Sequence, residues 1–305
     1  MDERVEARVE TIALGENRDE PKLAVPSARF CQDRGIDGDA HASLGHRQVS
    51  LMAQEDEDED EDENSDAAAD AANLVVSGVD LRSLGLGSQL RLGSEVLLTI
   101  TGLGAGSAAR PGLYARVLEG GTVAVGHGVQ VVQRIDRSAF QVVVLTLSDR
   151  GSRAETADTA GPAAAELVKT AMAAHVYRTQ ILPDDKDTLA ARLRHYADGH
   201  DIDLILTVGG TGLSPRDVTP EAVRDVIERA TPGLDEAMRL ASLAVTPFAM
   251  LSRACSGIRR QTLIVSLPGS QRAAVENLQV ILAALPHGLA KLRGDGSDCA
   301  PRPTP

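Results

Sequence analysis

The 305-residue chain has no tryptophan and only three phenylalanines and three tyrosines. Its cores must therefore be built from Val, Leu, Ile and Ala, and it lacks the aromatic faces on which single-stranded nucleic acid stacks. Positive charge is also in deficit: the formal net charge is −13, which argues against a nucleic-acid partner. Cys31, Cys255 and Cys299 are odd in number and far apart, so they offer neither a disulfide framework nor a C-x-x-C metal or redox pair. No apolar run approaches the ~20 residues that a membrane helix needs. The opening "MDERVEARVE" is charged where an export signal needs an apolar core. The chain reads as soluble and cytoplasmic, with no membrane partner.

What is present falls into two halves. Residues 1–135 carry short apolar stretches punctuated by glycine, such as "RVETIAL", "RQVSLM", "SEVLLTITG" and "GVQVVQ", the pattern of a compact, mostly β domain. From 138 to 293 the pattern changes. "FQVVVLTLS" reads as a buried strand, and "HVYRTQIL", "DIDLILTVGG" and "QTLIVSLPG" as further strands, with helix candidates between them. That alternation predicts an α/β domain with a mainly parallel sheet. Thr219 offers an N-cap and Pro220 a first helical position, with Val223, Val226 and Ile227 as the buried stripe. Leu278, Ile281, Leu282, Leu285 and Leu289 predict one long amphipathic helix. Nine consecutive acids, Glu55 to Glu63, carry −9 of the −13, leaving −4 for the rest. The insert 55–72 around them reads as disordered, and so does the tail 294–305. The run is either a solvated loop or a cation-binding or docking segment.

Four strand ends in the second half carry polar residues. They are Ser148, Asp149 and Arg150; the "PDD" of Asp184 and Asp185; Gly209, Gly210, Thr211 and Gly212 running on to Asp217; and Pro268, Gly269 and Ser270. In a parallel sheet such loops share one edge and line the ligand crevice. Each also has a plain reading: "PDD" as a helix cap, "SDR" as a local ion pair, "PGS" and "GGTG" as turns. Taken together they point to phosphate handling, because glycine amides approach phosphate oxygens closely. Carboxylates need a bridging cation to meet phosphate, and magnesium suits one or two of them. On this reading Asp184 and Asp217 are the catalytic, metal-binding pair.

Residues 140–293 resemble the molybdopterin adenylyltransferase (MogA/MoaB-like) family. The resemblance runs in order through "TLSDRGSRAETADTAGP", "ILPDDKDTL", "LILTVGGTGLSPRDVTPEAV", "PGLDEAMRLAS", "MLSRACSGIR" and "TLIVSLPGS". It implies transfer of AMP from ATP to molybdopterin with release of pyrophosphate. Mg2+ would be oriented by Asp184 and Asp217. The glycine loop, Ser148, Asp149, Arg150, Pro268, Gly269 and Ser270 would line the pocket, and a homotrimer is implied by the resemblance. A non-catalytic carrier of molybdopterin or of the finished cofactor is the alternative. Glu236 and Arg239 are spaced for a surface ion pair, while Arg253 suits an anion or a helix end.

In the first half, "GIDGDAHASLGHRQVSLM" gathers Asp37, Asp39, His41 and His46, in a spacing that matches no closed zinc pattern. Over residues 8–132 the chain resembles the MOSC domain, a β-rich module linked to molybdenum-cofactor sulfuration and binding. It departs from that pattern twice. After Thr101-Gly102, "LGAGSAARPG" has no cysteine where the resemblance expects a sulfur carrier, and the acidic run replaces a helix and loop. His46, Arg47 and Gln48 remain as candidates for a pterin phosphate. Cys31 is off the carrier position and reads as a buried small side chain. Incubation with a sulfur donor should leave Cys31 without a persulfide; a persulfide at Cys31 in the intact-mass spectrum would restore sulfur transfer.

Overall fold

The computed structural model describes residues 7–17, 21–42, 45–54, 72–104 and 112–296. The acidic run, the cysteine-less "AGSAARP" stretch and the "CAPRPTP" tail lie outside the described residues. Ala72, placed by sequence in the acidic insert, is described and buried. The chain divides into two compact units, Met1–Ala139 and Phe140–Pro305.

The first unit is strand-rich. Its strands are β1 (Arg8–Leu14), β2 (Leu23–Val25), β3 (Ser27–Cys31), β4 (Gly35–Ile36), β5 (Val49–Ala53) and β6 (Leu74–Ser77). They continue with β7 (Gln89–Leu92), β8 (Val96–Leu103), β9 (Gly112–Glu119), β10 (Gly121–Ala124) and β11 (Val129–Gln133). One sheet runs β11-β7-β8-β9-β5-β6-β1-β2 and a second runs β10-β3-β4. Every pairing is antiparallel except β5 with β6. The period-2 pattern explains the packing: Leu90 and Leu92, then Leu113, Ala115 and Val117, are buried, with half-buried residues between them.

The second unit is built on one six-stranded sheet of order β13-β12-β14-β17-β16-β15. Its strands are β12 (Phe140–Leu147), β13 (Ala174–Leu182), β14 (Leu204–Val208), β15 (Arg229–Ala230), β16 (Gly257–Arg259) and β17 (Thr262–Leu267). Strands β13, β12, β14 and β17 are parallel, while β16 and β15 close one edge antiparallel. The helices are α1 (Asp149–Ser152), α2 (Ala160–Ala171), α3 (Lys186–Gly199), α4 (Thr219–Arg224), α5 (Pro232–Leu243), α6 (Gln271–Ile281) and α7 (Leu285–Leu292). On one face of the sheet Val142, Val144, Leu206, Val208, Val265 and Leu267 meet buried residues of α2, α5, α6 and α7. The alternate residues Val143, Leu145, Ile205 and Ile264 are equally buried. They face the other side, the side that Leu189 and Leu193 of α3 and Val223 of α4 require.

Three local expectations are corrected. The long C-terminal helix is broken into α6 and α7, because Pro286 has no amide to continue the ladder and begins a new first turn instead. Thr219 does not cap α4: Val218 holds that position, and the buried Thr219 hydroxyl donates to the Gly209 carbonyl at 2.8 Å. Helix α4 also ends at Arg224, so Val226 is buried beyond it rather than on its stripe.

Leu206, fully buried at the centre of the sheet, is the position where truncation should cost most. Leu206→Ala should destabilise the second unit by about 3 kcal/mol, read as a lower denaturant midpoint at constant slope.

Candidate functional site

Strand β12 lies between β13 and β14, so the chain leaves it first to one side and later to the other. That reversal opens a crevice at the carboxyl ends of the strands, and four loops meet there.

Gly209 is the meeting point. It takes φ +103° and Gly210 takes φ +63°, a region that residues with a side chain rarely adopt. A Cβ on Gly209 would lie 2.8 Å from the Leu147 carbonyl oxygen after β12, and one on Gly269 would lie 3.2 Å from the Gly209 Cα. The Gly209 amide donates to the Leu267 carbonyl at 3.0 Å, so this glycine joins strand ends and its N–H is spent. Among the described residues the amides of Gly210, Thr211 and Gly212 have no hydrogen-bond acceptor. These three are free donors at the start of the loop.

The carboxylates are linked. The Asp149 amide donates to Asp184 Oδ2 at 3.0 Å, and the Asp184 amide returns a bond to Asp149 Oδ1 at 3.1 Å. Arg216 Nη2 donates to Asp149 Oδ2. The bond from the Asp184 amide, supported by Arg216, holds the Asp149 carboxyl below the usual range. Asp184 moves the other way. Burial raises its pKa, and the negative charges of Asp149 and Asp217 add to the rise against the pull of Arg216. Asp217 accepts from the Ser214 amide at 2.8 Å through Oδ2, close beside Gly212. Among the described residues no three acidic, His or Cys side chains converge into a closed metal cage. The excess negative potential at Asp184 nonetheless fits a cation completed by substrate oxygens.

The other expected residues take varied roles. Ser148 caps α1 by accepting from Gly151 N at 3.0 Å, and Ser270 caps α6 by accepting from Ala273 N at 3.3 Å. Asp185 caps α3 through Thr188 N at 2.8 Å. Pro268 lines a cavity of about 320 Å³ with Thr211, Gly212, Asp235, Arg239 and Asn277. Arg150 is exposed and takes no part in the carboxylate network, so the local "SDR" pair does not form; the partner of Asp149 is Arg216. Glu236 and Arg239 do not pair either, and Arg239 donates to the Ala254 carbonyl at 3.4 Å.

Sequence reasoning missed the roles of three residues. Arg253, expected at an anion or a helix end, is committed within the protein. Its guanidinium donates to the carbonyls of Gly212 (2.6 Å) and Asp217 and to the Glu221 carboxylate, while its amide donates to Thr211 at 2.9 Å. It is the clamp on the glycine loop, and only the folded loop could show that. Arg216 was visible beside Asp217, but its partner stands 67 residues away. Asp158 bonds Thr146 Oγ1 at 2.6 Å and both the Ala160 and Gly161 amides at 3.0 Å, fixing α2 to the end of β12.

In the first unit the acidic-histidine group does not form a metal centre. Asp39 is buried and spends its oxygens on the amides of Gly15 (3.1 Å) and His41 (2.8 Å) and on Asn73 Nδ2 (2.9 Å). Asp37 is exposed. Gln48 is also unavailable to a phosphate: its amide donates to the Gly45 carbonyl, and its oxygen accepts from Val117 N, both at 3.0 Å. Arg47 stacks over the Tyr114 ring at 4.8 Å, and the His46 carbonyl accepts from Thr101 Oγ1. Cys31 is half-buried with a free thiol rather than fully enclosed. A residue not anticipated is Lys22, which donates to Ser50 Oγ at 3.2 Å; burial lowers its pKa.

Among the described residues, no helix is long and apolar enough to cross a membrane. Residues 143–287 match the family described as a probable molybdopterin binding domain. The chain is 42% identical over 154 residues to the molybdenum cofactor synthesis protein cinnamon of Drosophila melanogaster, covering 50% of this chain but 26% of that protein. It is 35% identical over 157 residues to a molybdopterin adenylyltransferase of Helicobacter pylori, covering 51% of this chain and 89% of that enzyme. Among solved structures, the molybdopterin biosynthesis enzyme MoaB of Thermus thermophilus is 45% identical, with a TM-score of 0.48, 51% of this chain covered and 98% of that one. The family match falls within the second unit, and the chain spans about a quarter of the length of cinnamon. Through that segment, with its crevice of glycine amides and linked carboxylates, the chain belongs to the probable molybdopterin binding domain family.

Proposed function

We propose that the second unit is a molybdopterin adenylyltransferase of molybdenum cofactor biosynthesis, transferring AMP from ATP to molybdopterin and releasing pyrophosphate. The observation that carries this reading is the juxtaposition at one sheet edge of three free loop amides with three carboxylates in electrostatic contact. In the reaction a phosphate oxygen of molybdopterin attacks the α-phosphorus of ATP. The new P–O bond forms as the bond to the β-phosphate oxygen breaks, and the pair leaves on pyrophosphate. A phosphate oxygen is already nucleophilic, so no strong base is required and positioning dominates. Gly210, Thr211 and Gly212 supply amides to phosphate oxygens, while Gly209 holds the loop in place. Mg2+, held by Asp184 and Asp217, supplies charge neutralisation at the phosphates when bound. The cavity beside Thr211 and Pro268 combines Met238, Val245 and Phe248 with Asp235, Ser242 and Asn277 in its wall, suited to the flat ring face and polar edge of a pterin.

The remaining expectations are part of this proposal. A homotrimer is supported by the exposed apolar side chains of Leu240, Val245, Phe248 and Met250 on and just after α5. The MOSC-like reading of the first unit extends to cofactor binding without sulfur transfer, and the cytoplasm is the expected compartment.

Two experiments address the site. With ATP, magnesium and molybdopterin, Asp217→Asn should lower pyrophosphate release by about 100-fold or more while the circular dichroism stays that of the parent. If the parent chain binds molybdopterin tightly but releases no pyrophosphate, it is a carrier. The second concerns the raised pKa of Asp184. A group whose folded pKa is raised favours the fold only below its unfolded pKa of about 3.9, and that benefit is lost as the pH rises through the folded value. At pH 7 without divalent cations, Asp184→Asn should therefore raise the thermal midpoint, and with Mg2+ present it should reduce turnover. The gain in midpoint should shrink to nothing below about pH 3.9.

A further inference from the structure

Helix α3 starts just after Asp184 and runs for 14 residues away from the phosphate loops. At about 1.5 Å per residue, His195 lies roughly 14 Å along the axis from the first residue of the helix. There the chain places two histidine rings edge-on to one another. His195 Nε2 and His200 Nε2 are 3.3 Å apart, and their rings are tilted at 71° with centroids 4.9 Å apart.

We propose that His195 and His200 form a two-imidazole chelate for a divalent transition metal of the Zn2+ class, separate from the crevice and remote from it. Three observations support it. The first is the bite. With Zn–N bonds of about 2.0–2.1 Å in tetrahedral geometry, two ligand nitrogens stand about 3.3 Å apart. The observed separation is long for a hydrogen bond and matches that spacing, so a metal can take the place of the shared proton. The second is the electrostatics. His200 is the C-cap of α3, where the helix carries its partial negative charge and favours a cation. Exposed Asp201 follows it directly and adds negative charge at that end. The third is preorganisation. His200 is buried between the rings of Tyr177 and Tyr196, each 5.7 Å away, which fixes its plane, while His195 is exposed and packs against Tyr196 at 5.1 Å. One ligand is locked and the other faces solvent, leaving the remaining coordination positions to water. A metal there ties the last turn of α3 to the segment that leads into β14, five residues along the chain from its first ligand.

The test uses the full, tag-free chain stripped with chelator, and ZnCl2 as the probe. Added Zn2+ should shift the assigned ring signals of His195 and His200 together in the NMR spectrum. Calorimetry should show that exposed His195→Gln, which leaves the buried ring in place, lowers Zn2+ affinity by at least about tenfold, the smallest loss expected when even an outer partner of a metal is removed. Asp217→Asn should bind at this site as the parent does, which separates it from the crevice. Ring signals of His195 and His200 that do not move with Zn2+, or equal affinity of His195→Gln and parent, would overturn the proposal and leave the pair as a hydrogen bond.

Discussion

The second unit depends on one close approach: the backbone of Gly209 against the Leu147 carbonyl on one side and the Gly269 Cα on the other. Three parallel strands end at that point. A side chain there would push the loops after β12 and β17 outward, and the left-handed φ of +103° excludes most residues in any case. Because the strands behind it are fully buried on both faces, they leave the loops little room to adjust. The bond from the Gly209 amide to Leu267 and the bond from Thr219 to the Gly209 carbonyl then fix the crevice from below.

On that platform the charges balance rather than cancel. Asp149 is stabilised by the Asp184 amide and by Arg216, and Asp184 bears the cost of lying half-buried beside two other carboxylates. A site that holds negative charge against its preference is prepared for a cation, and the free amides beside it are prepared for an anion. Together they describe a place for a metal-bound phosphate more specifically than either would alone. Arg253 does not meet the ligand side of this arrangement. It secures the loop from behind by satisfying two carbonyls and neutralising Glu221.

Reading by residue type succeeded where one element decides the outcome and failed where two elements share an atom. The three buried strands of the second unit were visible as β-branched runs, and Asp185 as a helix cap was a local matter. Thr219 looked like a cap by the same local logic, yet its hydroxyl is used ten residues back on Gly209. The C-terminal leucines kept helical spacing across Pro286, so periodicity concealed a break that the missing amide imposes. In the first unit, Asp39 and Gln48 had the composition of a site, but their side chains serve backbone groups.

By itself the sequence determined the order of elements, the polar character of the strand ends and the family to which residues 143–287 belong. Those properties reside in contiguous residues and in the hydrophobic period, which neighbours along the chain set. Only the tertiary structure decided which aspartates share a bond, which glycine amides stay free, and that Arg216 and Arg253 organise the crevice. The physical reason is that hydrogen-bond satisfaction in a buried loop is settled between segments tens of residues apart. No local pattern records which donor reaches an acceptor first.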